Sequence, residues 1–269
     1  MITRRKVLVG TAAGLAAPMI LIPRSRAAEA LEVNTPGVLT AAAEGTFPPY
    51  SFLNENGEYD GIGRKTMAEI ANRLGLTYNP VITKWESLLV GILANKFDIA
   101  ASAMGINAER QEQVYFCDGW VESGSRLFVR EDSPYTRSSD LEGKRVGAIV
   151  ASIFIPVAER IVGPGGEVPV FQADVEGMQD VANGNIDGVI LDSISAAYLI
   201  TKSSLPLRGM PNIEQSYQLG WPVNKSKPNL VRAVNEKHWE MVDDGSFAAI
   251  CEPLIGFDPT PETPIRSLL

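Results

Sequence analysis

The sequence predicts an α/β protein of two lobes, each a largely parallel sheet covered by helices. Three observations point there. Short apolar runs alternate with helix-period stretches from about residue 37 onward, the pattern of successive β-α-β units. No period of about 20–50 residues repeats, which excludes solenoids and propellers. A Ser/Gly break at 122–125 and a return of the chain through 218–223 divide the series into two blocks, so the chain crosses between lobes twice.

In order, 37–43 reads as a strand, followed by the turn Phe47-Pro48-Pro49-Tyr50 and a hairpin-like detour over 50–63. Met67, Ile70, Ala71 and Leu74 repeat at helical spacing, with Gly75 as the cap. A strand is expected at 77–82, a helix at 85–94 and a buried strand at 97–101. After short strands at 114–118 and 127–130, the second block alternates again. Its strands are expected at 144–150, 168–172 and 189–191, its helices at 154–162, 175–183 and 193–201. Two helices, 230–242 and 247–254, follow the return, and Pro259, Pro261 and Pro264 keep the tail extended.

Composition narrows the function classes. Hydrophobic residues make up 45% and charged residues 21% of 269, a globular mix. Residues 1–28 hold five bases and no acid, which leaves 19 bases against 32 acids, near −13, for the rest. Such an acidic chain is unsuited to nucleic acid or anionic lipid, which need clustered Lys and Arg. Cys117 and Cys251 read as two separately buried thiols, with one long-range bridge as the alternative. The sole histidine, His238, sits in a helical stretch, where a surface or helix-packing role is expected; a zinc site lacks ligands, a Ser-His-Asp triad would have to recruit this one residue, and no cofactor is expected.

Residues 1–30 read as a targeting segment. Arg4-Arg5-Lys6 precede a weakly apolar run, 7–22, that at 16 residues is short for a span of about 20. The paired arginines resemble the twin-arginine export signal, and small residues offer cleavage after Ala27 or Ala30. A free periplasmic protein is the expectation.

From about Gly37 to Gly256 the chain resembles the family 3 solute-binding proteins of amino-acid ABC transporters. The resemblance is carried in the first lobe by Glu44-x-x-Phe47-Pro48-Pro49-Tyr50, Trp85-Glu86-x-Leu88-Leu89, Lys96-Phe97-Asp98 and Met104-x-Ile106-x-x-Glu109-Arg110. In the second it is carried by Leu141-x-Gly143-Lys144, Gly184-Asn185-Ile186-Asp187-Gly188 and Leu191-Asp192-x-x-x-Ala196, with Asp244-Gly245-Ser246-Phe247 closing the match. Each is weak alone; their order and spacing over some 200 residues are specific. The resemblance implies a type 2 periplasmic binding protein: two Rossmann-like lobes, 31–122 with 220–269 and 125–217, closing over a small molecule by hinge motion. It also implies a membrane permease partner, a monomeric state and no catalysis.

A free amino acid carries a carboxylate and an ammonium, and burying either without a partner is costly. By resemblance, Arg110 takes the carboxylate as a bidentate, charge-assisted pair. Asp192, at the carboxyl end of the 189–191 strand, takes the ammonium, with an N-cap as a second duty. Glu44 reaches the ligand side chain. Phe47 and Trp85 read equally as cleft wall or as core, and Gly105 offers a backbone N–H. The turn Ala151-Ser152-Ile153 stands where the family has Gly-Thr-Thr, and Ala103-Met104-Gly105-Ile106-Asn107 has fewer hydroxyls than the family's turn. Both departures favour an apolar, aromatic or modified side chain through Ser152 and Ile153, while Glu44 favours a cationic one. Two rival readings share the cleft: a cyclohexadienyl dehydratase-like enzyme using Glu44 as its acid, and a periplasmic sensor.

Overall fold

The computed structural model describes residues 31–269; the targeting segment assigned to 1–30 lies outside the described residues. In chain order the strands are β1 (Val38–Ala43), β2 (Thr46–Phe47), β3 (Ser51–Leu53), β4 (Tyr59–Asp60), β5 (Thr77–Ile82), β6 (Ile99–Ala100), β7 (Met104–Gly105), β8 (Tyr115–Phe116), β9 (Val121–Arg130), β10 (Val146–Ile149), β11 (Val170–Phe171), β12 (Gly188–Asp192), β13 (Leu207–Gly220) and β14 (Pro222–Val223). The helices are α1 (Ile62–Arg73), α2 (Trp85–Leu93), α3 (Ala108–Gln113), α4 (Ile155–Val162), α5 (Asp174–Ala182), α6 (Ser193–Ser203), α7 (Pro228–Asp243) and α8 (Ser246–Ile255).

Two sheets organise these elements. The five-stranded sheet runs β5-β1-β6-β14-β8, and the six-stranded sheet runs β11-β10-β12-β9-β13-β7. β1 pairs in parallel with β5 and β6, and β10 with β11 and β12, as β-α-β connections require. A small sheet, β2-β3-β4, replaces the expected two-stranded detour.

α1 begins at Ile62, and Gly61-Ile62-Gly63 belongs to its N-terminus rather than to a hairpin. The reason is steric. Gly61 sits at φ 123, and a Cβ there would lie 2.4 Å from the Tyr50 carbonyl oxygen, so the helix can start hard against the turn only without a side chain.

The larger departure concerns the crossings. Glu122-Ser123-Gly124-Ser125 is no break: it lies inside β9, a continuous strand of 10 residues. Its partner β13, of 14 residues, spans a stretch that sequence patterning left without a strand. Leu207–Gly220 carries Pro211 and two register shifts against β9, so its side chains do not alternate cleanly in sequence. The two strands pair antiparallel from Leu207↔Arg130 to Leu219↔Val121 and lead from one sheet to the other as a stiff double strand.

The core is continuous through this region. Trp120 and Trp221, both fully buried, stack with centroids 4.8 Å apart, beside Phe247 and His238. His238, 1% exposed, packs between Trp221, Trp239 and Phe247, the helix-packing role expected of it. Lys227 pairs with Asp98 at 2.6 Å in the interior, with Asn34 alongside. Cys117 and Cys251 are both buried and unbridged. No described helix is long and apolar enough to cross a membrane.

Candidate functional site

A cavity opens between the carboxyl ends of the strands of both sheets. Its walls bring together seven of the eight residues singled out from sequence: Glu44, Phe47, Trp85, Gly105, Arg110, Ser152 and Ile153. The lining is otherwise mostly apolar, with Ile149, Phe154, Leu219 and the ring of Tyr217, joined by Gln172 and Asp174.

Each polar group has a structural origin. Glu44 directly follows β1, where the parallel strand ends, and is 7% exposed. Neither of its carboxylate oxygens has a hydrogen-bond partner. Burial pushes its acid up to about 7, with the nearby Ser102 hydroxyl, outside hydrogen-bond geometry, opposing only in part and Asp174 adding repulsion.

Arg110 lies on α3, which Asn107 caps by accepting the Arg110 N–H at 2.8 Å. Its guanidinium donates to the carbonyl of Gly105 at 2.8 Å and to that of Ala151 at 3.1 Å, and lies 5.8 Å from the Trp85 ring centroid. No described carboxylate stands within ion-pair distance of it. Burial, the leading influence, lowers its pKa. The Ala151 contact ties α3, which follows β7, to the β10–α4 turn, both leading from strands of the six-stranded sheet.

Gly105 and Ile153 close one side. A Cβ on Gly105 would meet Ile153 Cδ1 at 2.9 Å, so glycine there lets the two walls approach. Ser152 turns inward on its own loop, its hydroxyl accepting the Phe154 N–H at 3.1 Å. Phe47 packs on Tyr50 with centroids 5.0 Å apart, and Trp85 starts α2. Both residues therefore serve as cavity wall and as packing.

Asp192 is the exception. It stands behind the cavity wall, 0% exposed, and its oxygens accept from five donors: Tyr50 Oη (3.1 Å), Ser123 Oγ (2.6 Å), Tyr217 Oη (2.6 Å) and the N–H groups of Ile194 (3.0 Å) and Ser195 (2.9 Å). It caps α6, as expected, and joins the β2–β3 turn to both long strands. Tyr217, which lines the cavity, stands between Asp192 and the space a ligand would take. Asp192 is therefore engaged by the protein's own donors and is not among the residues lining the cavity.

The acid that does reach the cavity is Asp174, which sequence reasoning passed over. It opens α5 immediately after β11, is 4% exposed and accepts from Ser195 Oγ at 2.7 Å. Burial raises it to about 7, opposed by the Ser195 hydroxyl and reinforced by Asp192. Among the described residues no group of His, Cys, Asp and Glu side chains is arranged to hold a metal ion.

Residues 39–256 match the model of the bacterial extracellular solute-binding proteins, family 3. The chain is 28% identical over 231 residues to the L-cystine-binding protein TcyJ of Escherichia coli (strain K12), covering 85% of this chain and 86% of that protein. It is 30% identical over 156 residues to the cyclohexadienyl dehydratase of Pseudomonas aeruginosa, covering 54% of this chain and 58% of that enzyme. Among solved structures, the arginine-bound form of truncated ArgBP from T. maritima superposes with a TM-score of 0.72 at 28% identity, covering 76% of this chain and 96% of that one.

Proposed function

Because the chain belongs to the bacterial extracellular solute-binding proteins of family 3, we propose that it captures an α-amino acid, or a close derivative, in the cavity between its two sheets and delivers it to the membrane permease of an ABC transporter. It is a binding protein rather than an enzyme: the L-cystine-binding relatives match over most of the chain, whereas the dehydratase matches over about half.

One observation carries the reading: a half-buried guanidinium lines the cavity with no carboxylate within ion-pair distance of it, although two acids line the same space. A planar cation held by two backbone carbonyls keeps N–H groups for a bidentate anion, and an α-carboxylate fits that fork. Phe47, Trp85, Ile153 and Phe154 wall the side chain, and Gly105 and Ser152 keep the backbone close. The ligand bridges segments from both lobes, taken as 31–122 with 220–269 and 125–217, so binding favours the closed state. Family members work in the periplasm or outside the cell; export by the twin-arginine route and a monomeric state complete the proposal.

The test is calorimetry on protein stripped of carried-over ligand, across a broad amino-acid panel. At least one member binds 1:1. Arg110→Ala weakens that binding by about 100-fold or more while the empty protein's melting temperature shifts little. Silence across the panel, or a collapse of stability in Arg110→Ala, overturns the reading.

A further inference from the structure

Asp174 changes the charge balance of the cavity. It stands past the carboxyl end of β11 in the six-stranded sheet, and Glu44 stands past that of β1 in the five-stranded sheet. The two acids therefore come from opposite sheets and line one cavity. Both are more than nine-tenths buried, at 4% and 7% exposure. Glu44 has no partner on either oxygen, and Asp174 accepts Ser195 Oγ–H on Oδ2. A buried carboxylate without partners is costly and persists where something else supplies the missing charge.

Resting on the amino-acid reading above, we propose that Glu44 and Asp174 form a cation-selecting pair, so that the cavity takes an amino acid bearing two positively charged nitrogens and one carboxylate and rejects its neutral isostere. Arg110 faces the carboxylate. The two acids face the α-ammonium and the side-chain cation.

Charge counting drives the selectivity. With both acids ionised, the cavity holds one cation and two anions. A neutral zwitterion adds one charge of each sign and leaves one buried carboxylate unpaired. A ligand of net charge +1 leaves none, so the two differ by the cost of an unpaired buried ion. Lobe closure is coupled to the same count. Two acids approaching from opposite sheets repel, and only a cation between them turns that repulsion into attraction from both sides. Phe47 and Trp85 add ring faces beside the site, which favour a desolvated cation over a neutral group. Asp192 cannot substitute, since its acceptor positions are occupied by the protein itself.

The experiment compares ligands that differ by one charge at nearly constant size. Ligand-free protein is titrated calorimetrically with L-arginine against L-citrulline and with L-lysine against L-norleucine, and L-cystine is included as a ligand of zero net charge. In at least one pair the charged member binds about 100-fold tighter or more. L-cystine falls with the weak binders. Asp174→Asn, which keeps an oxygen for Ser195, narrows the ratio to about tenfold or less. Glu44→Gln does the same and serves if Asp174→Asn fails to fold. Citrulline or norleucine binding as tightly as its charged counterpart, or L-cystine binding tighter than both cations, overturns the charge selection and leaves the amino-acid reading standing. No binding by any amino acid overturns both.

Discussion

Asp192 and the pair Glu44–Asp174 place the same functional group in the same kind of setting, past the carboxyl end of a buried strand, with opposite outcomes. Asp192 is enclosed and receives five donors from four parts of the chain. Glu44 is nearly as buried and receives none. A carboxylate surrounded by donors organises the protein, whereas one left without them is organised for something that arrives later. Burial alone does not separate a framework acid from a binding acid; the count of hydrogen-bond donors does.

Removing the framework acid gives the largest effect. Asp192→Ala leaves two tyrosine hydroxyls, a serine hydroxyl and two N–H groups without their acceptor, a loss of about 3–5 kcal/mol and of about 10 °C in melting temperature by thermal scan. An unchanged melting temperature would erase the distinction between the two kinds of acid.

Next comes pH. Glu44 and Asp174 stand at about 7 when folded against ordinary values of 4.5 and 3.8, so between these limits the folded state holds more protons than the unfolded one. The stability they contribute is full below about pH 4 and is lost as pH rises through 7. Asp192, also raised, adds with the same sign. His238, held at about 4 by burial against 6.5, opposes them, losing its contribution as pH falls from 6.5 toward 4. With three acids against one imidazole, the melting temperature of the empty protein falls by about 5 °C or more between pH 5.5 and 8. A rise over that interval contradicts the unpaired state of the cavity acids.

Glu44→Gln sharpens the comparison from the other side. It stabilises the empty protein at pH 8 by about 1–2 kcal/mol in denaturant titration and has little effect at pH 5, where the native acid is already protonated. The smallest effect is that of Tyr217→Phe, which removes one of five donors to Asp192 and costs about 1 kcal/mol. A loss as large as that of Asp192→Ala would mean that the network hangs on that hydroxyl alone.

Much of this molecule was legible in its sequence where local signals are strong. Helical spacing marked α1 and α2, and family motifs led to seven cavity residues although they lie far apart in the chain. The double strand β9–β13 was not legible, because its register shifts and Pro211 erase alternation and only pairing over long range makes it a strand. Asp174 left a signal that went unused: it falls between an expected strand at 168–172 and an expected helix at 175–183, the topological position also held by Asp192. No pattern in sequence tells which of two such acids will be enclosed by tyrosines, since Tyr50 and Tyr217 reach Asp192 from 142 and 25 residues away.

The distribution of indoles has an optical consequence. Of the four tryptophans, Trp120 and Trp221 are stacked in the sealed interior, Trp239 donates its Nε1–H to Asp118, and Trp85 alone looks into the cavity. Three emitters keep a constant background while the fourth registers the arrival of a guest, so the molecule carries its own fluorescent readout of occupancy without a dye or label.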